Sequence, residues 1–178
     1  MANLLVSLIM VAVILTVVQA FTRSSLGPQD KLAASAKVMR ARTGEIARTE
    51  LTSKGVTVQD AGTTINFTVA NTGQTPLRAL DEWDLIVTYH EAAGNQGLQL
   101  QRLTYTESAT PANGEWTSGG IYMDASLNDA EVFNTGIVDF GEEIVVTAKV
   151  TPAIGTDTDN LITIAVQNGV TLSANFSN

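Results

Sequence analysis

"MANLLVSLIMVAVILTVVQAFT", residues 1–22, decides the reading of this chain, because it contains no charged side chain before Arg23. From Leu4 to Phe21 only Ser7, Thr16 and Gln19 are polar. At ~1.5 Å rise per residue, about 20 helical residues span roughly 30 Å, the apolar thickness of a bilayer. Val6, Ile9, Val11, Val13, Ile14, Val17 and Val18 are β-branched and mediocre helix formers in water, but an apolar surround forces backbone groups to pair within the segment. A helix apolar on all sides is expected to be buried on all sides, in lipid or in protein. A secretory signal peptide is the alternative, but it requires a basic start and a small-residue cleavage site, and neither is clear here.

The segment sets an orientation problem. Residues 1–55 carry Arg23, Lys31, Lys37, Arg40, Arg42, Arg48 and Lys54 against Asp30, Glu45 and Glu50, net +4; residues 56–178 carry net −12, within −8 for the whole chain. Short basic flanks stay in the cytoplasm, which would hold the acidic part inside the cell. A basic leader preceding Met1 and removed after insertion resolves this. Intact-mass comparison with the open reading frame checks it. The acidic part argues against nucleic acid as a partner and suits a soluble, repulsive surface.

"SLGPQDKLAASAKVMRARTGEIARTELTSKG" follows. Gly27-Pro28 reads as an interruption, although Pro can also open a helix. Beyond it the alanines and long polar residues favour helix. Leu32, Met39 and Ile46 repeat every seven residues with Ala36 and Thr43 between them, a narrow apolar stripe expected to pack against neighbouring helices along a seam. The lesser alternative lays the stripe on the chain's own domain. Gly44 weakens the helix and Gly55 is expected to end it. Residues 1–53 as helix would span roughly 75–80 Å, more than the following domain could cover.

From Val56 the period changes to two. "GVTVQD", "TTINFTVAN", "DLIVTYHE", "GLQLQRLTYTE", "EVFNTGIVDF", "EEIVVTAKVT", "NLITIAVQ" and "GVTLSANF" read as eight short strands. Ile65/Phe67/Val69, Leu98/Leu100 and Leu172/Ala174/Phe176 are the expected inward rows. Asp60-Ala-Gly62, Asn71-Thr-Gly73, Gly94-Asn95, Asn113-Gly114, Gly119-Gly120 and Asn168-Gly169 read as turns. The expectation is an α+β chain: a long hydrophobic helix and stalk over 1–54, then an all-β, immunoglobulin-like sandwich head over 55–178.

Candidate chemistry is sparse. With no cysteine and the one histidine, His90, thiolate and multi-histidine metal sites are excluded. Asp81, Glu82 and Asp84 read as a solvated turn, with a Ca²⁺ site as the lesser alternative. His90 reads as a surface residue. Gly119-Gly120 lacks the strand–helix context of a phosphate loop. No nucleophile–base pair stands at recognisable spacing, so neither an enzyme nor a cofactor is expected. The sequons Asn66-Phe-Thr68 and Asn175-Phe-Ser177 place Phe inward and Asn outward, making Asn66 and Asn175 candidate glycosylation sites on a cell-exterior surface.

The uncharged helix Leu4–Phe21, "VANTGQTPL" (69–77) and "DEWDLIVTY" together resemble the type IV pilin superfamily, and within it the archaellins, subunits of the archaeal-type flagellum. Bacterial type IV pilins typically have glutamate at mature position five and often a head disulfide. Leu5 and the absence of cysteine point away from them. The resemblance implies a subunit held in the cytoplasmic membrane before assembly, freed of its leader by a leader peptidase, and drawn by an assembly platform into an extracellular helical homopolymer. Its filament core would be Leu4, Leu5, Leu8, Ile9, Val11, Val13, Ile14, Leu15, Val17, Val18 and Phe21, with Leu32, Ala36, Met39 and Ile46 packing in the stalk. Basic stalks beneath acidic heads imply salt-dependent filaments. Three readings stand: a filament subunit, for motility or as an adhesive pilus; a membrane-anchored stator or envelope-binding accessory of the same machine; and a tethered ligand-binding module.

Overall fold

A computed structural model describes residues 2–92 and 97–178, without the side chains of Ala2, Leu4 and 21–30. The expected turn at Gly94-Asn95 and the side chains of Leu4 and Phe21 lie outside the described residues. The chain divides into two compact units, 1–44 and 45–178.

Helix α1 is Ala2–Ala47. It runs through Gly27-Pro28, so the interruption expected there is corrected. Proline removes its own N–H bond and crowds the carbonyl one turn back, a cost outweighed once the turns on both sides propagate the helix. The end expected near Gly55 is also corrected. After Ala47 the backbone turns, with Thr49 N–H bonding to Ile46 O at 3.1 Å and Thr49 Oγ1 donating to Glu45 O at 2.9 Å.

The second unit is a two-layer sandwich. Its strands are β1 (Leu51–Gln59), β2 (Thr64–Asn71), β3 (Asp84–His90), β4 (Leu98–Tyr105), β5 (Glu115–Asp124), β6 (Asp129–Ala130), β7 (Glu143–Lys149), β8 (Asp159–Ala165) and β9 (Thr171–Ser177). Residues 51–54, placed with the stalk on sequence grounds, begin β1. The ladder order is β1-β2-β7-β5-β4-β3-β8-β9, with β6 on β5. One layer is β1-β2-β7-β5 and the other β4-β3-β8-β9. They are joined where β4 and β5 pair in parallel over only Thr104–Glu115 and Tyr105–Trp116. All other strand pairs are antiparallel. The expected sandwich is thus present in a form close to a barrel.

Alternation fills the core. Ile65, Phe67 and Val69 of β2 face Leu85, Val87 and Tyr89 of β3, together with Ile144, Val146, Ile162 and Ile164, all fully buried or nearly so. Trp116 is buried in full, stacked on Trp83 with centroids 6.4 Å apart and met edge-on by Tyr105 at 4.9 Å. Aromatic pairs in such geometry add roughly 0.5–1.5 kcal/mol beyond burial.

Three strand expectations are corrected. "EVFNTGIVDF" is a loop: Asn134 and Gly136 take positive φ (58° and 90°), which breaks an extended run, and only Val138 bridges, to Leu77. In its place "EWTSGGIYMD" forms β5. Its Gly119-Gly120 is a β-bulge opposite Val145, with Gly120 at φ 136°, where a side chain would be strained. Finally, β4 presents Leu98 and Leu100 to the outside and half-buries Gln99 and Gln101. The apolar phase switches in mid-strand, and Leu103 (2% exposed) with Tyr105, which packs on Trp116, fixes the side facing the core.

Tyr89 lies in the core. Its ring is fully buried and its hydroxyl donates to Pro152 O at 2.9 Å. Burial, and secondarily the charge of Glu91, pushes its phenol up to about 12. The unfolded chain ionises near 10. Stability from the neutral phenol is therefore complete below about pH 10 and lost as pH rises toward about 12. In an ultraviolet titration one of the three tyrosines should ionise last, and Tyr89→Phe should remove that step. A late step that survives in the variant refutes the assignment.

Candidate functional site

Every described side chain from Leu5 to Ala20 is exposed, from 69% at Leu8 to 49% at Val17 among the large hydrophobics. The run covers more than four turns at 3.6 residues per turn, so apolar groups point to every side. The few hydroxyls are satisfied within the helix. Ser7 Oγ donates to Asn3 O at 2.9 Å and Thr16 Oγ1 to Ala12 O at 2.6 Å. Fully burying one Val, Leu or Ile side chain is worth about 1.5–3 kcal/mol, so this surface in water represents a large unrealised stabilisation. Among the described residues no helix is long and apolar enough to cross a membrane. The membrane-thick span read from Leu4 to Phe21 is therefore not supported over those residues, its end side chains being undescribed.

The stalk stripe is exposed too: Leu32 and Met39 at 70%, Ile46 at 47%, with Ala36 between. Thr43, in the same row, turns its hydroxyl back to Met39 O at 2.9 Å.

The helix end is stitched into the sandwich by a cluster that sequence reading took for a simple turn. Asn71, fully buried, closes β2. Its Nδ2 donates to Thr75 O and Val138 O, both at 2.9 Å, and its Oδ1 accepts from Gly73 N at 3.2 Å. The loop so shaped binds the backbone leaving α1. Gln74 N donates to Arg48 O at 2.7 Å, Thr72 N and Gly73 N to Glu50 O at 2.9 and 3.0 Å, and Thr75 Oγ1 to Glu45 O at 3.1 Å. Asn168 Nδ2 adds a bond to the buried Thr49 Oγ1 at 2.6 Å. The head thus bonds one carbonyl of the helix's last turn, Glu45 O, and two just past it, Arg48 O and Glu50 O. Gly73 permits the approach: a Cβ there would lie 2.3 Å from Glu50 N and 2.4 Å from Arg48 O. Its φ is not positive, so the need is for space. The cue in the sequence was the Asn-Thr-Gly step, whose partner strand could not be read from it.

The polar candidates are dispersed. Asp84 pairs with Arg102 through both Nε and Nη2. Trp83, buried in the core, donates from Nε1 to Arg78 O and Gln167 Oε1 at 2.9 and 3.0 Å. His90 is half-buried, and its backbone N–H bonds to Asn160 Oδ1 at 3.0 Å. Among the described residues no three acidic or histidine side chains converge as metal ligands. A cleft of about 330 Å³ beside the Lys54–Glu143 ion pair (3.2 Å) was not foreseen. On its rim Asp124 is held below the usual carboxylate range, mainly by the hydroxyl of Ser126, then by backbone N–H groups and Lys54. Phe67 and Phe176 point inward as expected. Asn175 is exposed, whereas Asn66 is half-buried and accepts a hydrogen bond from Thr147 Oγ1 at 2.9 Å.

No family model matches this sequence, and no curated protein does. Solved structures do. The archaeal flagellum of Methanospirillum hungatei strain JF1 is similar over 97% of this chain and 92% of its own, with TM-score 0.63 and 13% identity. The archaellum periplasmic stator protein FlaG of Sulfolobus acidocaldarius is similar over 72% of this chain and 99% of its own, with TM-score 0.50 and 19% identity. The archaeal flagellin FlaB1 of Methanocaldococcus jannaschii is similar over 73% of this chain and 90% of its own, with TM-score 0.51 and 16% identity. At these identities the likeness is one of fold, and the fold is that of archaellum proteins.

Proposed function

We propose that this chain is the structural subunit of an extracellular archaellum-like motility filament, a helical polymer of its own copies built through the N-terminal helix. The observation that carries the reading is the apolar surface on every side of α1 from Leu5 to Val18. Copies of the same helix can cover it completely, because each brings the same surface. Likeness to a flagellar filament over 97% of the chain, helix included, supports this reading over one based on the head alone.

Storage in the cytoplasmic membrane before assembly fits the same surface. Passing from lipid to helix neighbours exchanges one apolar contact for another, so the exchange is near neutral and packing shape selects the geometry. A leader peptidase and an assembly platform are the partners this route requires. In the assembled state the head is the outer layer, and Asn175, exposed on β9, is the better placed of the two sequons for a glycan. The head is read as immunoglobulin-like, and its role as structural, with no reaction assigned.

A second reading, a membrane-anchored stator or envelope-binding protein, is favoured by the likeness to FlaG over 72% of the chain. An adhesive pilin differs from the first reading only in use. Electron microscopy of material sheared from cells, with mass spectrometry of its main band, separates the filament readings from the anchored one. Thin filaments composed of this chain are expected. Retention with the membranes, unpolymerised, would overturn the filament reading in favour of the anchored one.

A further inference from the structure

We infer that the outer face of the β4-β3-β8-β9 layer, around Leu98 and Leu100, is the seat for the loop between Leu127 and Phe140 of a neighbouring copy; this rests on the filament reading. The first observation is the reversed strand. Leu98 and Leu100 are 65% and 71% exposed while Gln99 and Gln101 turn inward, and Gln101 Oε1 is buried without a hydrogen-bond partner. Against water alone, both halves of that arrangement cost stability. The ladder widens the patch, setting Leu100 opposite Thr88 and Thr88 opposite Leu161, itself exposed.

The second observation names the occupant. Leu127, Val132, Phe133 and Phe140 are the most exposed large hydrophobics of the head apart from that patch, at 68–79%. Their loop is held rather than frayed. Glu131 N bonds to Ile121 O at 3.0 Å, Asn134 Nδ2 to Asp139 Oδ2 at 2.9 Å, and Val138 is laddered to Leu77. A fixed loop with an apolar tip loses little freedom on docking.

The loop extends from the β5 and β7 layer and the seat belongs to the other, so one copy cannot pair the same patch with itself. A contact between two different patches is heterologous and, where the rotation between copies does not close a ring, propagates as a polymer requires. Size agrees. With about 150–250 Å² for each aromatic side chain and less for the leucines, the contact buries on the order of several hundred Å². That falls short of the roughly 1,200 Å² of a stable isolated complex. Free heads would stay apart, and the contact would form where helices already hold copies together.

Because the chain has no cysteine, the test is direct. Filaments carrying Leu100→Cys and Phe133→Cys together are treated with a short bismaleimide. A ladder extending beyond dimers is expected, with each single variant remaining monomeric. If that pair does not assemble, Leu98→Cys with Val132→Cys probes the same contact. Intact filaments that label with maleimide yet give no ladder would overturn this inference and leave the filament reading standing. Dimers from Leu100→Cys alone, or a cross-link to a different polypeptide, would overturn it by naming another occupant. Failure of the unmodified chain to form filaments would overturn both.

Discussion

Gly73→Ala should unfold the sandwich at a temperature on the order of 10 °C below that of the parent chain. The added methyl would sit 2.3 Å from Glu50 N, 2.4 Å from Arg48 O and 2.9 Å from Thr49 C. These are backbone atoms, so no side chain can swing aside. Relief requires moving the strand that leaves the helix, which breaks the bonds from Gly73 N to Glu50 O and from Gln74 N to Arg48 O. Overpacking of this kind costs about 1–3 kcal/mol, and the broken bonds about 1 kcal/mol each. The readout is thermal unfolding of detergent-solubilised full chain followed by fluorescence of Trp83 and Trp116, both buried in the core. Gln74→Ala, exposed beside it and bonded to Arg48 O only through its backbone N–H, is the control and should melt like the parent. An unchanged melting temperature for Gly73→Ala would show that the 71–75 loop does not clamp the helix end.

Met39→Glu should eliminate filaments without disturbing the head. Met39 is 70% exposed in the single chain and lies in the row Leu32, Met39, Ile46, so the folded subunit tolerates a carboxylate there. In a packed helix core that carboxylate would be stripped of water, at an effective cost of several kcal/mol in every subunit that Arg42, three residues on, offsets only in part. About 4 kcal/mol corresponds to a thousandfold higher concentration needed for assembly. Sheared fractions should contain no filaments, cell-associated chain should accumulate, and the tryptophan melting curve should match the parent. Normal filaments from this variant would exclude a seam along the stalk and leave only residues before Phe21 to hold the polymer.

Periodicity reveals most where burial is one-sided. Ile65/Phe67/Val69 and the stretch from Asp84 to His90 alternate cleanly, and the strands they form are β2 and β3. Periodicity fails where glycine serves as a bulge instead of a turn. Gly119-Gly120 hid β5, because a bulged strand has small residues where an apolar row should be. It also fails in β4, whose local alternation of leucine and glutamine is as regular as any but opposite in phase to Leu103. Only the packing of Leu103 and Tyr105 against the core decides between the two. The loop "EVFNTGIVDF" misled for the converse reason: its apolar residues are frequent enough for a strand, yet Asn134 and Gly136 curl the backbone. Of the candidate site, the apolar helix was legible because composition alone carries it. The clamp of residues 71–75 on residues 45–50 was not, because it is made of backbone bonds between segments with no complementary pattern.

The two outer strands of the ladder, β1 and β9, lie alongside each other without exchanging ladder bonds. An open strand margin is a template on which another chain's strand can add, and crowding makes that addition probable. In a polymer each head would sit at very high local concentration beside identical heads for its whole lifetime, so even a weak tendency to merge sheets would lead to tangled aggregates. This sandwich is guarded at that margin. β1 is kinked by a register shift between Ser53 and Gly55 and carries Lys54 at the kink, both of which discourage an incoming strand. β9 shields the same margin, and β6, on β5, is only two residues long. Side chains and helices can thus govern how copies meet, while the backbone of each head stays closed to its neighbours.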